Sequence, residues 1–170
     1  MTAIGTIWLY RPDPAPADDL QRCGRATFAV RYPSSTRVAV AVLGDIDAVN
    51  ARDLGRYVER HTRVSKQLLL DLRAVDFFGS QAFTALYYIS VRCARSDVDW
   101  MIVGSPPVRR VLSICDPQGE LPLADDLPSA LERLGRRAQR CYHVAQRASR
   151  AALRPQHRAA LHVEGLPVVP

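Results

Sequence analysis

The alternation of hydrophobic and polar residues predicts a hairpin and then a helix from Arg25 onward. Two runs of β-branched and apolar residues, Thr27–Tyr32 and Arg37–Leu43, flank residues 33–35, whose Pro-Ser-Ser sequence is typical of a turn. Asp47 then precedes apolar residues at helical spacing, and its carboxylate is suited to cap the first turn of a helix. The domain is therefore expected to open with two antiparallel strands.

Two further apolar runs predict the central strands of a sheet. Gln67–Leu72 is short and almost continuously apolar, as in a strand buried on both faces, and Trp100–Val103 is similar and ends at Gly104. Helical periodicity begins between them, at Ser80. Strands that alternate with helices after a hairpin indicate an α/β fold with a mixed, mostly parallel sheet of four to five strands and about four helices.

Prolines mark the last elements of this domain. The pair Pro106-Pro107 fits the first turn of a helix. Pro122 limits residues 121–123 to an edge strand, because proline cannot donate a backbone hydrogen bond. Pro128 begins a further helix, which is expected to end at Gly135.

Composition separates a domain of residues 25–135 from two extensions. Residues 11–19 contain three prolines and three aspartates, so residues 1–24 are predicted to be an N-terminal arm and a proline-rich linker. Residues 136–170 form an arginine-rich tail with seven arginines and one glutamate, and this excess, 7 − 1 = 6, equals the net charge of +6 of the whole chain. The domain is therefore neutral, which argues against a nucleic-acid groove on its surface.

The sequence predicts no membrane segment. Its longest uncharged run, Phe77–Val91, has fifteen residues and includes several polar ones, whereas a membrane-spanning helix needs about 20 apolar residues. No lysine or arginine precedes the short apolar patch Ile4–Tyr10, unlike in a secretory signal. We therefore expect a cytoplasmic protein.

The sequence contains no recognisable motif for catalysis or for metal binding. The four cysteines are far apart, three of the four histidines lie in the tail, and no phosphate-binding or nucleophile motif occurs. The place of His61 near a helix end favours an interaction with the helix dipole. Asp45 and Asp47 resemble paired carboxylates, but a turn and a helix start explain them more simply. We expect no enzyme activity, no metal and no cofactor.

The segment from Leu70 to Phe83 has an unusual composition. It passes from a buried strand through a loop with two aromatic residues, Phe77 and Phe78, to Ser80 at the start of an amphipathic helix. A capping role explains the serine as a structural residue, but it does not explain the two aromatic residues. The segment therefore indicates an exposed hydroxyl beside an apolar patch.

Three motifs in this order resemble the STAS domain family, and within it the bacterial anti-sigma factor antagonists. Gly44-Asp45-Ile46-Asp47 is similar to the family's turn before its first helix, and Asp71–Phe83 to the strand, loop and serine that follow. Val103–Leu112 resembles the family's next strand and helix. The resemblance covers residues 25–135. Its departures are Gly79 in place of an aspartate, Gln81 in place of Ser or Thr, Ala82 in place of glycine, and Phe83 in place of Leu or Ile.

The resemblance implies a regulatory binding protein without catalysis. Such a protein binds an anti-sigma factor, often a serine kinase, and so frees a sigma factor for transcription. The kinase phosphorylates the serine at the position of Ser80, and the complex dissociates. The expected partner is an anti-sigma factor of the serine-kinase type, or another STAS or regulatory protein. The expected partner-binding residues are Asp45, Asp47, Asn50, Phe77, Phe78, Gly79, Ser80, Gln81, Thr84 and Tyr88.

Two other classes of function remain open. A STAS scaffold or sensor module would bind another STAS protein or a small ligand, and Gly79 and Gln81 favour it because they depart from the kinase-substrate pattern. In that case the arm Thr2–Tyr10 would supply a strand for a homodimer. Nucleic-acid binding through the arginine-rich tail is the weaker alternative, since the domain itself is neutral.

Overall fold

The computed structural model describes residues 17–152, which form a six-stranded sheet and four helices. The predicted arm Thr2–Tyr10 and the part of the tail after residue 152 lie outside the described residues. In chain order the elements are β1 (Asp19–Cys23), β2 (Ala26–Ser34), β3 (Arg37–Ile46), α1 (Ala51–Thr62), β4 (Gln67–Phe78), α2 (Ser80–Arg95), β5 (Asp99–Gly104), α3 (Pro106–Cys115), β6 (Leu123–Ala124) and α4 (Leu127–Ala152).

The sheet has the order β1-β2-β3-β4-β5-β6 and contains both strand directions. β2 is antiparallel to both of its neighbours, β1 and β3, whereas β3, β4, β5 and β6 are parallel. The predicted α/β fold with a mixed, mostly parallel sheet is therefore confirmed, with six strands in place of four to five. The hairpin of β2 and β3 is also confirmed, but its turn lies at residues 35–36, because Pro33 and Ser34 still belong to β2.

The additional strand is β1, which lies in the region predicted to be a linker. β1 pairs with β2, and the Asp18 amide donates to the Val30 carbonyl at 2.9 Å. Pro16 is the last proline of the linker, so every residue after it up to β2 can donate a backbone hydrogen bond. The sheet therefore starts before the predicted domain boundary at Arg25.

Two boundaries near the end of β3 and β4 differ from the prediction. β4 extends to Phe78 because its last residues pair with the end of β3, so Phe77 and Phe78 belong to a strand and not to a loop. The residue before α1 is Asn50 and not Asp47. The Asp47 carboxylate instead accepts a hydrogen bond from the Val49 amide at 2.8 Å, within the turn that precedes the helix.

α4 continues through Gly135, where the sequence predicted its end. Gly135 lacks the positive φ of a helix-terminating glycine, so nothing at this residue stops the helix. The chain divides into one compact unit that ends at residue 137 and a second that begins at residue 138. The helices between residues 17 and 152 are all too short or too polar to cross a bilayer.

Alternate residues of the central strands point to opposite faces of the sheet, and both faces are buried. Val40 and Leu70 belong to the larger core, to which α1, α2 and α3 contribute. Burial on both faces explains the continuous apolar run of β4. The smaller core on the other face includes the first part of α4, and its buried members are Ala39, Leu69, Met101, Val103, Ala124, Leu127, Ala130 and Leu134.

Candidate partner-binding surface

The parallel strands β3 and β4 end side by side, and each leads into a helix at the same edge of the sheet. β3 ends at Ile46 and leads through a turn to α1, and β4 leads through Gly79 to α2. The Gly79 amide donates to the Ile46 carbonyl at 2.8 Å, which links the two connections. Binding residues of α/β proteins usually lie at this edge. The structure therefore brings residues 45–50 and 77–81 together.

Ser80 is exposed and is the first residue of α2. The residue before the helix is Gly79, with φ −77° and ψ 165°, and no side chain caps the helix. Capping therefore does not explain the serine, whose hydroxyl makes no hydrogen bond within the described part of the chain. A phosphate on this hydroxyl would lie in the positive field of the helix N-terminus.

Gly79 does not need to be a glycine for steric reasons. Its backbone is extended, and an added Cβ would lie 3.4 Å from Phe77 Cε1, 3.5 Å from the Ile46 carbonyl oxygen and 3.8 Å from the Asp47 Cα, which are ordinary contacts. The Cβ of an aspartate, the residue of the family pattern, would therefore fit. The glycine removes a negative charge and a capping side chain from the start of α2, and the backbone geometry does not require this.

Phe77 and Phe78 point in opposite directions because they are consecutive residues of a strand. The side chain of Phe78 is 4% exposed and belongs to the larger core, so it anchors the end of β4 and does not contact a partner as predicted. Phe77 is 53% exposed and places an aromatic ring on the surface near Ser80. An exposed ring can supply much of the apolar area of a protein interface.

Asn50 is also a structural residue, contrary to the prediction that it contacts a partner. It is 2% exposed, and its amide nitrogen donates to the carbonyls of Cys23 at 3.2 Å and Asp45 at 2.9 Å. Its Oδ1 accepts from the Asp47 amide at 3.0 Å. Asp45 and Asp47 themselves are partly exposed, and the Asp45 carboxylate pairs with Arg25 at 2.8 Å. Asn50 therefore holds the turn that presents the two carboxylates.

Gln81, Thr84 and Tyr88 line a groove of about 410 Å³ between α1 and α2. Arg52 and Arg56 of α1 also line it, and neither was predicted from the sequence to be a site residue. Their spacing of four residues on the polar side of an amphipathic helix was the available indication. The remaining lining residues are small: Ala48, Ala51, Gly55 and Ala85.

Tyr88 forms a fixed wall of this groove. Its hydroxyl donates to Glu59 Oε2 at 2.6 Å, and this hydrogen bond raises the pKa of Tyr88 above its ordinary value. Glu59 also pairs with Arg92 at 2.5 Å. A Cβ added to Gly55 would lie 3.1 Å from the Tyr88 Cδ1, so a larger residue there would displace the ring.

The arrangement of these groups suits recognition of a polypeptide. Within residues 17–152, no group of three or more His, Cys, Asp or Glu side chains is placed to hold a metal ion. An exposed aromatic ring beside a hydroxyl, and arginines beside small apolar residues, are features of protein interfaces. This surface lies on rigid elements, since the strands and helices that carry it are packed on the larger core.

The family model of the STAS domain matches residues 27–130 of the chain. The chain belongs to the STAS domain family. The match includes the ends of β3 and β4 and the starts of α1 and α2, and therefore the whole surface described above. The resemblance inferred from three sequence motifs is confirmed.

This STAS protein is similar to proteins from mycobacteria. Osmosensory protein A of Mycobacterium tuberculosis (strain ATCC 25618 / H37Rv) is 30% identical over 108 residues, which cover 61% of this chain and 68% of that protein. A crystal structure of an anti-sigma factor antagonist from Mycobacterium paratuberculosis matches with a TM-score of 0.55 and 25% identity, covering 64% of this chain and 92% of that one.

A second solved structure supports the fold. The anti-sigma factor antagonist SpoIIAA in its unphosphorylated form matches with a TM-score of 0.53 and 12% identity, covering 63% of this chain and 95% of that one. At this identity the likeness concerns the fold alone. The structural neighbours of this STAS protein therefore include anti-sigma factor antagonists.

Proposed function

We propose that this STAS protein is an anti-sigma factor antagonist, which binds an anti-sigma factor of the serine-kinase type and so frees a sigma factor. The observation that carries the proposal is the exposed Ser80 at the start of α2, beside the exposed ring of Phe77. Such a protein acts by binding and needs no catalytic group. Its docking surface consists of Asp45, Asp47, Phe77, Gly79, Ser80, Gln81, Thr84 and Tyr88.

Phosphorylation of Ser80 would switch this interaction off. A phosphate adds about −1.5 to −2 charges, and this charge would lose its hydration when the docking surface is buried. Because the hydroxyl is exposed and caps nothing, its modification would leave the fold of the free protein intact. The affinity for the partner would therefore fall, while the free protein would stay folded, with a slightly stabilised start of α2.

A competition assay tests the binding role. Each serine-kinase-type anti-sigma factor of the native host is immobilised with its sigma factor, and the STAS protein is added. We expect the protein to displace the sigma factor from at least one of them. Retention of every sigma factor at a saturating concentration of the STAS protein would refute the proposal.

Phosphosite mapping by mass spectrometry tests the switch separately. Incubation with ATP and the kinase found in the competition assay is expected to add a phosphate to Ser80 and to release the complex. Ser35 serves as an internal control, since it is also exposed but lies at the β2–β3 turn, at the opposite end of β3. A phosphate elsewhere, with Ser80 unmodified, would contradict the assignment.

The groove supports a second candidate function, that of a sensor or scaffold module. Its volume of about 410 Å³ lies within the range of small-molecule sites, and Gly79 and Gln81 depart from the kinase-substrate pattern. In this case a small ligand or a second STAS protein would occupy the groove. A ligand would raise the Tm of the isolated protein, which can be measured with metabolite fractions from the host.

The N-terminal arm has a proposed role outside this surface. If the arm Thr2–Tyr10 forms a homodimer, deletion of residues 1–16, which leaves β1 intact, should convert a dimer into a monomer. Size-exclusion chromatography measures the change. The same elution volume for both proteins would exclude a role of the arm in dimerisation.

A further inference from the structure

The groove between α1 and α2 carries two positive charges that no acidic side chain of the described residues neutralises. Arg52 and Arg56 lie one helical turn apart, both are exposed, and both line the groove. Within residues 17–152 neither guanidinium forms an ion pair or a hydrogen bond, unlike Arg25 and Arg60, each of which binds an aspartate. The two groove arginines are therefore available to an anion from outside the protein.

The acidic residues of α1 are engaged elsewhere. The Asp53 carboxylate accepts a hydrogen bond from the Cys23 thiol at 3.4 Å. Glu59 accepts a hydrogen bond from the Tyr88 hydroxyl at 2.6 Å and pairs with Arg92 at 2.5 Å. Both carboxylates therefore have partners other than Arg52 and Arg56.

Two helix N-termini add to the positive potential at one end of the groove. α1 and α2 both begin there, and neither Asn50 nor Gly79, the residues before them, makes a side-chain cap hydrogen bond. The first turn of α2 lacks an acidic residue, whereas the first turn of α1 contains Asp53. The uncapped N–H groups and the macrodipole of α2 therefore favour an anion at this end, while Asp47 and Asp53 reduce the contribution of α1. The absence of the family's aspartate at Gly79 strengthens this preference.

The shape of the groove fits a polypeptide. Its small residues, Ala51, Gly55 and Ala85 among them, allow another chain to approach closely, and they offer methyl groups to apolar side chains. Tyr88 forms a fixed wall through its hydrogen bond to Glu59. A free anion would gain nothing from these apolar contacts, whereas a peptide would use both the contacts and the charge.

We propose that the groove between α1 and α2 binds an acidic segment of the partner protein, with a carboxylate seated between Arg52 and Arg56. The inference rests on the proposed function and specifies the chemistry of the partner. It also gives the switch a direction, because a phosphate on Ser80 would reduce the positive potential that attracts the segment. Phosphorylation of Ser80 would therefore weaken the binding of the acidic segment.

A titration of the full-length, 15N-labelled protein with two synthetic peptides tests this inference. One is a short amphipathic helix with glutamates on its polar face, and the other has glutamine in place of each glutamate. At low salt, the acidic peptide is expected to shift the amide signals of Gly55, Thr84 and Tyr88, with an affinity at least about ten-fold higher than that of the glutamine peptide. Equal affinities, or no shifts at these residues, would overturn the inference.

A matched pair of variants locates the charge. The double variant Arg52→Gln, Arg56→Gln is expected to lose the preference for the acidic peptide. The double variant Arg63→Gln, Arg95→Gln removes the same charge at exposed residues outside the groove and is expected to keep it. If both double variants lost the preference for the acidic peptide equally, the preference would depend on the net charge of the protein and not on a site in the groove. Binding of ATP or inorganic phosphate at the same amides, more tightly than the acidic peptide, would also contradict it.

The peptide titration does not depend on which anti-sigma factor is the partner. If no anti-sigma factor binds in the competition assay but the peptide preference is found, the groove inference stands and the proposed function fails. If an anti-sigma factor binds and the Arg52→Gln, Arg56→Gln variant keeps its full affinity, the proposed function stands and the groove inference fails.

Discussion

At the scale of single residues, Ser80 has no structural role that would explain it. Gly79 takes the position before the helix, and no side chain caps the helix. Asn50 and Phe78, which were predicted to contact a partner, are buried and hold the segments that carry the exposed residues. The residues left for contact are the exposed Ser80 and Phe77 and the side chains that line the groove.

Replacing Gly79 with aspartate is expected to stabilise the protein slightly. The space at Gly79 accepts a Cβ. An aspartate before a helix raises the free energy of unfolding by about 0.5 kcal/mol relative to glycine. Urea unfolding measures the difference. Gly104→Ala is the contrasting variant, because its Cβ would lie 2.8 Å from the Val108 Cγ1 and should destabilise the fold. A destabilisation of Gly79→Asp as large as that of Gly104→Ala would contradict this account.

Asn50→Ala is expected to lower the free energy of unfolding by about 2 to 3 kcal/mol, since it leaves buried backbone groups without partners. The hydrogen bonds lost are those to the carbonyls of Cys23 and Asp45 and from the amide of Asp47. Val49→Ala, at an exposed neighbour, should change stability by less than about 0.5 kcal/mol. Similar values for the two variants would show that Asn50 does not hold the turn.

These residue roles were only partly predictable. The sequence shows that a helix begins near Ser80, but glycine and serine are both frequent before a helix, so only the backbone angles distinguish them. Asp47 and Asn50 presented the same ambiguity before α1. Phe77 and Phe78 differ in exposure because they alternate on a strand, and this required knowing that β4 continues to Phe78.

At the scale of elements, β1 is an edge strand that side chains of α1 attach to the domain. Asp19 Oδ2 accepts from Arg60 at 2.9 Å and lies 3.0 Å from His61 Nε2. The Tyr32 hydroxyl lies 2.6 Å from His61 Nδ1, and Tyr57 donates to the Asp19 carbonyl at 3.0 Å. A neutral His61 that is protonated at Nε2 donates to the Asp19 carboxylate and accepts at Nδ1 from the Tyr32 hydroxyl.

The attachment of β1 should weaken in acid. Burial lowers the pKa of His61, and it outweighs the opposing effect of the hydrogen bond to Asp19. The unfolded chain, with an ordinary histidine pKa of about 6.5, therefore binds this proton more readily than the folded protein, and stability falls as the pH drops below about 6.5. The free energy of unfolding in urea should fall less between pH 7 and pH 5 for His61→Gln than for the unchanged protein. An equal fall in both proteins would show that the lowered pKa of His61 does not cause the acid sensitivity.

β1 also shows what the sequence could not predict at this scale. Hairpin, central strands and helices follow from periodicity, because their apolar residues face a core on one or both sides. β1 has mainly half-exposed side chains and follows a proline-rich stretch, so its sequence resembles a linker. Its strand conformation depends on hydrogen bonds to β2 and on Asp19, both of which are tertiary contacts.

At the scale of the whole molecule, the sheet is covered on both faces, and its edge at the ends of β3 and β4 carries the docking surface. The face opposite α1, α2 and α3 is closed by the first part of α4, with Leu127 and Leu134 in the smaller core. The side-chain Nε2 of Gln67 also donates to the Leu134 carbonyl at 2.7 Å. The α4 residues up to 137 therefore belong to the domain, beyond the predicted helix end at Gly135.

Leu134→Ala is expected to lower the free energy of unfolding by about 2 to 5 kcal/mol, because it opens a cavity in the smaller core. Val144→Ala, at an exposed position of the same helix, should have an effect below about 0.5 kcal/mol. Thermal or urea unfolding compares the two variants. A small effect of Leu134→Ala would mean that α4 does not close this face of the sheet.

The affinity of one matched pair of variants for the anti-sigma factor tests the central claim most directly. Calorimetric titration is made with the unchanged protein, with Ser80→Glu and with Ser35→Glu, which adds the same charge at the far end of β3. Ser80→Glu is expected to raise the Kd at least about ten-fold, and Ser35→Glu to leave it within about two-fold. Equal Kd values for the two variants would place the docking surface elsewhere on the molecule.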